Sequence, residues 1–362
     1  MNHFSFLELH TSAIEAVKIF TPAIAAFIIG MGITPGITHY LYAWKLWKKS
    51  SVAKTIDGRE ATISSKLHDD EARKTPRMGG IIVWGSVLLT TLLIALIAGI
   101  LPNDTTVKLS YLSRNQTWLP LFTLIIASLF GLIDDLLVVA GKGTFVGGGL
   151  SLRKRLLVVF LLAFVGALWF YFKLGTSGIH IPFDGTWNLG FLFIPFFILV
   201  MLAVYSGGII DGVDGLAGGV FIVMFSAYGV IAYAQNQYDL AAFSMVIVGS
   251  LLVFLWFNIP PARFFLSETG TMGLTTTLTV IAFLTGQVLI LPIIALPLVL
   301  TTGSVIIQLV SKKFRNGKKV FLVAPLHNHY IAKGWPRSKV TMRYWIFSAI
   351  CAVFGIVLAL IS

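Results

Sequence analysis

Charged residues are scarce in this chain of 362 residues, because Asp, Glu, Lys and Arg together make up only 12% of it. A soluble globular domain carries about 25% charged residues, so the composition excludes an ordinary soluble protein. Hydrophobic residues make up 57% of the chain, and the mean hydropathy is +0.88. These values predict a protein that crosses a membrane several times.

Cysteine and a signal sequence are also lacking. The single cysteine, Cys351, lies in an apolar run, which excludes an internal disulfide. The first ten residues, MNHFSFLELH, lack the basic start of a cleavable signal sequence, so we expect the first apolar run to be retained. Since neither an internal repeat nor a loop long enough for a soluble domain is evident, we expect residues 1–362 to form a single integral membrane domain.

Long apolar runs, in contrast, are abundant. A transmembrane helix needs about 20 mostly apolar residues. The eighth and ninth runs are almost continuous and separate around Gly286–Pro292, and the count would fall by one if they formed a single helix. The sequence predicts an all-α, polytopic membrane protein with about ten transmembrane helices. The ten spans cover residues 14–37, 79–100, 118–139, 156–174, 189–206, 216–235, 241–257, 271–289, 291–311 and 342–361.

Basic residues are distributed unevenly over the loops that join these spans. The loops that follow odd-numbered spans carry 23 Lys and Arg residues, and the other loops carry only Lys108, Arg114 and Lys173. Cytoplasmic loops of membrane proteins are enriched in Lys and Arg. We therefore expect the odd loops to face the cytoplasm and both termini to lie outside.

Acidic residues stand at the ends of several apolar runs. Asp134 and Asp135 end the third span, Asp211 and Asp214 lie between the fifth and sixth, and Glu268 lies between the seventh and eighth. All five fall on the predicted cytoplasmic side, and charge at membrane depth usually marks function. Converging carboxylates suit a hard cation such as Mg²⁺, which can in turn hold a diphosphate. The pattern predicts one site for phosphoryl transfer in a cytoplasmic cleft.

Each acidic motif also has a simpler interpretation. Asp134 and Asp135 could be a solvated helix end, although acids at a helix C-terminus oppose the helix dipole. The glycines around Asp211 and Asp214 could form a small-residue packing face between helices, which leaves the acids unexplained. In the segment SETGT, the threonines beside Glu268 could cap the eighth span.

Three further motifs carry polar or aromatic candidates. Lys74 and Arg77 in RKTPRMGG are phosphate partners or ordinary positive flanks of a span. His327 and His329 in APLHNHYIAKGW lack a third soft ligand for zinc, so with Asn328 they are better suited to donate hydrogen bonds to phosphate, or they belong to a plain surface loop. Phe265 could stack on a base or anchor the membrane interface.

Taken in order along the chain, the motifs are similar to those of one enzyme family. KTPRMGG (74–80), GLIDD (131–135), DGVDGLAGG (211–219), FNIPPARFFLSETGT (257–271) and PLHNHYIAKGWPRSKVTMRYW (325–345) resemble motifs of the phospho-N-acetylmuramoyl-pentapeptide transferases, a branch of the polyprenyl-phosphate N-acetylhexosamine-1-phosphate transferase superfamily. The resemblance implies ten helices in a bacterial inner membrane, Mg²⁺ dependence and a homodimer. It implies transfer of phospho-MurNAc-pentapeptide from its UDP carrier to undecaprenyl phosphate, giving lipid I and UMP, with no nucleic-acid partner.

The resemblance also assigns roles to individual residues. Asp134 and Asp135 match the acidic pair, one of which is proposed to activate the lipid phosphate. Asp211 matches an acid associated with Mg²⁺ and proposed as a nucleophile, so direct attack by the lipid and a phospho-enzyme route both remain open. We expect the following assignments: catalytic Asp134, Asp135, Asp211, Lys74, His327 and His329; substrate-binding Asp214, Gly212, Phe265, Asn328 and Thr75; metal-binding Asp211 and Glu268.

Several positions depart from the family pattern. Val138 stands where a lysine is common, with Lys142 as a possible substitute, and Gly208 stands where Asn is usual. Glu268 and Thr271 replace the Asp and Ser of a GDTGS-like motif, and Asn328 replaces the middle histidine. Every acidic position keeps an acid, which favours a divergent enzyme. The alternatives are a UDP-GlcNAc:undecaprenyl-phosphate transferase, an ion-coupled transporter and a non-catalytic lipid-binding paralogue.

Overall fold

The fold is a bundle of helices. It is known from a computed structural model that describes residues 3–47, 74–142 and 149–362, with side chains from residue 15 onward. Most of the predicted basic loop between the first two spans, residues 48–73, lies outside the described residues. The helices are α1 (His3–Ala43), α2 (Gly80–Ile100), α3 (Asp104–Leu109), α4 (Trp118–Val139), α5 (Leu152–Leu168), α6 (Phe193–Ser206), α7 (Leu216–Ala234), α8 (Tyr238–Asn258), α9 (Ser267–Leu284), α10 (Leu291–Ile294), α11 (Leu296–Phe314), α12 (Leu326–Ala332) and α13 (Arg337–Ile361).

Eight helices in the described part of the chain are long and apolar enough to cross a membrane, and a bent pair could add a ninth. This confirms the predicted all-α, polytopic membrane fold. The bent pair, Val288–Ile294 and Leu296–Phe314, makes an angle of 76°. The predicted ninth span is therefore broken near Ala295. The chain also breaks between the predicted eighth and ninth spans, where Gly286 adopts a positive φ of +69°.

The predicted eighth span corresponds to α9, which has 18 residues but is not among the eight apolar helices. Its threonines lower its hydropathy, and almost all of its side chains are buried among neighbouring helices. Several threonine hydroxyls donate to carbonyls one turn earlier, as Thr275 does to Thr271 at 2.7 Å. A polar helix is tolerated here because the bundle and its own backbone satisfy most of its threonine hydroxyl groups.

One short β-hairpin interrupts the helical pattern between α5 and α6. Strands β1 (Gly178–Ile181) and β2 (Gly185–Asn188) pair antiparallel, with Gly178 opposite Asn188. The all-α prediction did not include this hairpin. It is small and leaves the assignment to an all-helical class unchanged.

Two apolar cores hold the bundle together. The larger one joins α1, α2, α4, α7, α8, α9, α10, α11 and α13. The smaller one joins α5 and α6 to α9 through an aromatic group in which the Phe197 and Phe283 ring centroids are 4.4 Å apart. Both cores include residues of α9, so this polar helix occupies the centre of the molecule.

Two glycines allow neighbouring helices to approach the N-terminal end of α9. A Cβ atom on Gly131 would overlap the carbonyl oxygen of Glu268, and one on Gly80 would overlap the backbone of Gly270. Only glycine permits such close backbone contact. The contacts bring the C-terminal part of α4 and the start of α2 against the first turn of α9, where the acidic motifs meet.

Candidate active site

The acidic pair at the end of α4 is buried, and each acid is paired with an arginine. Asp134 and Asp135 are both 0% exposed. The Asp134 carboxylate accepts the Leu150 N–H at 2.6 Å and lies 3.0 Å from an Arg155 terminal nitrogen. Because adjacent positions on a helix point about 100° apart, as expected from 3.6 residues per turn, the two carboxylates meet different partners.

Asp135 connects α4 to two other motifs. Its Oδ1 accepts the Arg77 Nε–H at 3.0 Å, and an Arg77 terminal nitrogen lies 2.9 Å from the same oxygen. Its Oδ2 accepts the Thr269 N–H at 2.9 Å and the Thr269 hydroxyl at 2.6 Å. One buried carboxylate thereby joins the RKTPRMGG segment to the start of α9.

Arg155, at the beginning of α5, bridges two acids. One terminal nitrogen contacts Asp134, and the other lies 2.7 Å from Glu268 Oε1. The Tyr205 hydroxyl lies 3.5 Å from Glu268 Oε2. Glu268 is therefore held by a guanidinium ion in this structure, and its side chain remains 20% exposed.

Asp211 also contacts the start of α9. Its Oδ2 accepts the Ser267 N–H at 2.7 Å, next to Glu268. An unpaired N–H group at a helix N-terminus favours a negative charge. Unlike Asp134 and Asp135, Asp211 is only partly buried. Asp211 therefore combines a fixed position with access from outside the bundle, which the fully buried Asp134 and Asp135 lack.

The backbone of the segment before α2 runs beside the residues that precede α9. Phe265 N–H donates to the Pro76 carbonyl at 2.9 Å, and Gly79 N–H donates to the Phe265 carbonyl at 2.8 Å. Thr75 is buried, Lys74 is exposed and Phe265 is partly buried. These contacts place Lys74, Thr75 and Phe265 at the same end of the bundle as the acidic pair.

Asp214, which lies in the same glycine-rich loop as Asp211, belongs to a second hydrogen-bond network. It is 7% exposed, and its Oδ2 accepts the Ala262 N–H at 3.1 Å. Asn258 accepts the Gly215 N–H at 2.8 Å and donates to the Phe264 carbonyl at 2.8 Å. Asp214 thus links the glycine-rich loop to the segment that carries Phe265.

The histidine loop, residues 324–335, lies against the same glycine-rich loop. His327 is 0% exposed, and its Nε2 is 2.7 Å from where a Cβ on Gly212 would stand. Asn328 is buried and His329 is partly buried. The C-terminal span fixes this arrangement, since Thr341 donates to the Asp214 carbonyl at 3.1 Å and Trp345 donates to the Gly215 carbonyl at 3.0 Å.

The backbone of residues 320–322, which we call the strap, holds His329 in one hydrogen-bonded form. Gln308 of α11 accepts the Val320 and Phe321 N–H groups, both at 3.0 Å, and donates to the Phe321 carbonyl at 2.9 Å. The next N–H, that of Leu322, donates to His329 Nδ1 at 3.1 Å. Burial and the neighbouring Lys333 ammonium lower the pKa of His329. Neutral His329 therefore carries its proton on Nε2 and can donate from it.

Known proteins resemble this chain over most of its length. The family model for glycosyl transferase family 4 matches residues 117–286. A phospho-N-acetylmuramoyl-pentapeptide-transferase of Geobacillus sp. (strain WCH70) is 37% identical over 288 residues, covering 78% of this chain and 83% of the relative. The enzyme of the same name from Bacillus subtilis (strain 168) is 32% identical over 349 residues, covering 95% and 98%.

A third relative with this name, from Bacillus cytotoxicus, is 35% identical over 335 residues, which covers 91% of this chain and 94% of the relative. The chain belongs to the phospho-N-acetylmuramoyl-pentapeptide transferase family. The resemblance stated from the motifs is thereby confirmed, and the geometry can be compared with the expectations that it raised for individual residues.

Residue motifs alone did not indicate which cations pair with the acids. Arg77 had an ordinary positive flank as its alternative, and Arg155 was only one of four basic residues in its loop. Lys142 was named as a possible substitute for the family lysine at Val138, and this stays a prediction. The structure places an Arg155 terminal nitrogen 3.0 Å from Asp134 Oδ2, while Val138 is buried. Asn258 was missed, and Thr269 was named beside Glu268 but not as a partner of Asp135, because these contacts form only in the folded chain.

Two departures from the family pattern face each other. A Cβ on Gly208 would lie 3.3 Å from the Thr271 Cβ and 3.6 Å from its hydroxyl oxygen. Position 208 therefore lies against the Cβ and hydroxyl group of Thr271, so the two departures occupy one close-packed part of the site.

Proposed function

We propose that this protein transfers phospho-MurNAc-pentapeptide from UDP-MurNAc-pentapeptide to undecaprenyl phosphate in peptidoglycan synthesis. An oxygen of the lipid phosphate would form a bond to the phosphorus that carries the sugar, and the bond from that phosphorus to the UMP oxygen would break. The products are lipid I and UMP. Full-length relatives that carry the transferase's name support this proposal.

The observation that carries the proposal is the meeting of the motifs at one end of the bundle. Arg77 and Thr269 share Asp135, Arg155 joins Asp134 to Glu268, and Asp211 contacts the residue before Glu268. Both substrates are anionic at the reacting centre, so the site must offset negative charge while it positions them. A transporter would instead need acids near the membrane midplane.

The charge balance of the described residues suits a magnesium ion. Four carboxylates, those of Asp134, Asp135, Asp211 and Glu268, face two guanidinium groups. In the described ranges no three Asp, Glu, His or Cys side chains converge as a ligand group. Mg²⁺ usually takes one or two carboxylates together with substrate phosphates and water.

We propose that Asp211 and Glu268 hold this ion together with the diphosphate. Glu268 would have to exchange its contact with Arg155 for the metal, whereas the partly buried Asp211 is already at the surface of the site. Bound magnesium would neutralise the diphosphate and stabilise the departing UMP. Lys74, together with His329 through its Nε2–H, would add donors to the phosphate oxygens.

The remaining candidates divide by position. Asp134 and Asp135 form the acidic pair next to the cations, and one of them is proposed to accept a proton or assist the lipid phosphate. His327 and Asn328 lie in the histidine loop against Gly212. We propose that Asp214, Gly212, Phe265 and Thr75 form the wall on the nucleotide side.

The setting of this site is also part of the proposal. The distribution of Lys and Arg supports an acidic end of the bundle that faces the cytoplasm of a bacterial cell, with the spans in the inner membrane. Residues 1–362 would act as one membrane domain, and two copies would associate as a homodimer. The donor nucleotide would then reach the site from the cytoplasm and the lipid from the bilayer.

Product analysis with two donors tests the reaction. Purified protein in detergent would receive undecaprenyl phosphate, magnesium and either UDP-MurNAc-pentapeptide or UDP-GlcNAc, and the lipid product would be identified by mass. We expect lipid I from the first donor and no lipid product from the second. A GlcNAc-pyrophosphoryl lipid as the main product would move the protein to the sister branch and contradict the proposed donor.

A further inference from the structure

A basic turn follows α11 at the end of the bundle that carries the acidic site. We define the basic turn as residues 312–319, KKFRNGKK. Four of its cations, Lys313, Arg315, Lys318 and Lys319, are exposed. The sequence contains no acidic residue after Glu268, so no carboxylate in this part of the chain offsets their charge.

Backbone hydrogen bonds give the basic turn a fixed shape. Gly317 N–H donates to the Lys312 carbonyl at 2.9 Å, and Lys318 N–H donates to the Arg315 carbonyl at 3.0 Å. The Ser311 hydroxyl, buried in α11, donates to the Lys318 carbonyl at 2.9 Å. The cations are therefore presented from one rigid loop, which lowers the entropy lost when a ligand binds them.

An apolar side chain stands in the middle of these cations. Phe314 is 75% exposed, and the Lys313 ammonium lies 5.6 Å from its ring centroid. Val320 and Leu322, just after the turn, are 48% and 49% exposed. Exposed apolar groups beside cations are unfavourable in water but suit the boundary between lipid headgroups and acyl chains.

As the longer half of the bent pair, α11 is long enough to bring the turn to that boundary. A helix of 19 residues is about 28 Å long, close to the roughly 30 Å of the hydrocarbon core. Phe314, its last residue, would then lie where the acyl chains end, and the cations of the turn would lie at the level of the phosphates. Basic clusters at this position attract anionic lipids.

We propose that the basic turn is a binding site for the headgroups of anionic phospholipids, with the phosphodiester held by Lys313, Arg315, Lys318 and Lys319 and with Phe314 in the acyl boundary. The residues of this site are not those of the acidic cluster, and the proposal does not depend on the transferase reaction. The occupant of this site is a phospholipid of the surrounding leaflet, because the charge, the exposed ring and the depth all match one.

Lipid retention by the purified full-length protein tests the proposal without substrates. Protein in a neutral detergent would be incubated with phosphatidylglycerol or phosphatidylcholine, and bound lipid would be counted by native mass spectrometry. We expect preferential retention of phosphatidylglycerol and an affinity about fivefold to 30-fold lower in the variant Lys318→Gln/Lys319→Gln, because each cation near an anionic surface adds appreciable attraction. Higher salt should weaken the retention.

Two matched variants complete the experiment. Arg153→Gln/Lys154→Gln removes two exposed cations from another span end and should retain phosphatidylglycerol as the wild type does. Lys318→Arg/Lys319→Arg should also retain it. Equal retention of both lipids, equal loss in both glutamine variants, or binding of undecaprenyl phosphate but not phosphatidylglycerol would overturn the proposal. None of these results would contradict the proposed transferase activity.

Discussion

At the residue scale, Arg155 is the side chain on which the acidic site depends most clearly. Its two terminal nitrogens reach Asp134 and Glu268, which come from different helices. A guanidinium group can serve two carboxylates at once because its donors are fixed in a planar fork. Removal of such a cation would leave a carboxylate that is 0% exposed without its counter-charge. That loss should affect both stability and turnover.

Replacement of Arg155 tests this bridge. We expect Arg155→Gln to lower the free energy of unfolding by about 3 kcal/mol, because breaking a buried ion pair leaves an uncompensated charge. Turnover should fall by about 100-fold, since misplacement of the acids by about 1 Å is costly. Arg155→Lys should recover only part of both losses, because one ammonium cannot bridge two acids in this way. UMP release and thermal unfolding in detergent are the measurements.

The neighbouring Arg153 provides the control for this experiment. Arg153 is exposed on the same turn of α5, so Arg153→Gln removes the same charge without touching the acids. It should leave unfolding and UMP release near wild-type values. Wild-type behaviour of Arg155→Gln would show that the bridge seen in the structure does not support the site.

At the scale of elements, the approach of α4 to α9 positions the acidic pair. The absence of a side chain on Gly131 lets the α4 backbone lie against the backbone of Glu268. This contact brings the Thr269 hydroxyl within 2.6 Å of Asp135 Oδ2. Gly131→Ala should destabilise the protein by about 1–3 kcal/mol because an added methyl group forces the two backbones apart. The matched change Gly99→Ala adds the same methyl where no atom lies within 4 Å.

Thermal unfolding of the two alanine variants decides whether this contact matters. We expect Gly131→Ala to unfold at a lower temperature and to release UMP more slowly, while Gly99→Ala stays close to the wild type. A normal melting temperature for Gly131→Ala would mean that α4 can shift at no cost. The placement of Asp134 and Asp135 would then need another explanation.

The hydrogen bond from the Leu322 N–H to His329 predicts that the stability of the protein depends on pH. The lowered pKa of His329 means that the folded protein prefers the neutral ring, whose Nδ1 accepts the Leu322 N–H. This stabilisation is present above the ordinary histidine pKa of about 6.5 and is lost as the pH falls through the lower folded value. The melting temperature of the wild type should therefore drop between pH 7.5 and pH 5.5.

His329→Asn separates this histidine from other titrating groups. An asparagine oxygen can accept the Leu322 N–H but does not titrate in this range. We expect the variant to lose less melting temperature over the same pH interval than the wild type. Identical pH profiles for the two proteins would contradict the role of the neutral imidazole in holding the loop.

The sequence predicted these elements to different degrees. Helices rich in Leu, Ile and Val were predicted correctly, because their apolar length alone marks them as spans. The boundary of α9 and the break in the predicted ninth span were not, since burial among other helices lets threonines replace apolar residues. The acids of the site could be named from the sequence, but the pairing of Arg77 with Asp135 and of Arg155 with Glu268 depends on helices that meet only in the fold.

At the scale of the whole molecule, the uneven distribution of Lys and Arg predicts its orientation in the membrane. Labelling of single cysteines with a membrane-impermeant maleimide on intact cells would measure it, in a Cys351→Ser background. We expect Lys108→Cys to react from outside and Lys318→Cys to react only after the membrane is permeabilised, because basic loops stay in the cytoplasm. The reverse pattern would place the acidic end of the bundle outside the cell.

We propose that the acidic end of the bundle is a magnesium-assisted transferase site that requires Asp211. The most direct test is UMP release from UDP-MurNAc-pentapeptide and undecaprenyl phosphate, measured with and without Mg²⁺ for the wild type, Asp211→Asn and the exposed control Asp104→Asn. We expect release that needs Mg²⁺, a loss of about 100-fold or more in Asp211→Asn, and normal release in Asp104→Asn. Full activity of Asp211→Asn, or no release by the wild type with Mg²⁺ present, would contradict the account.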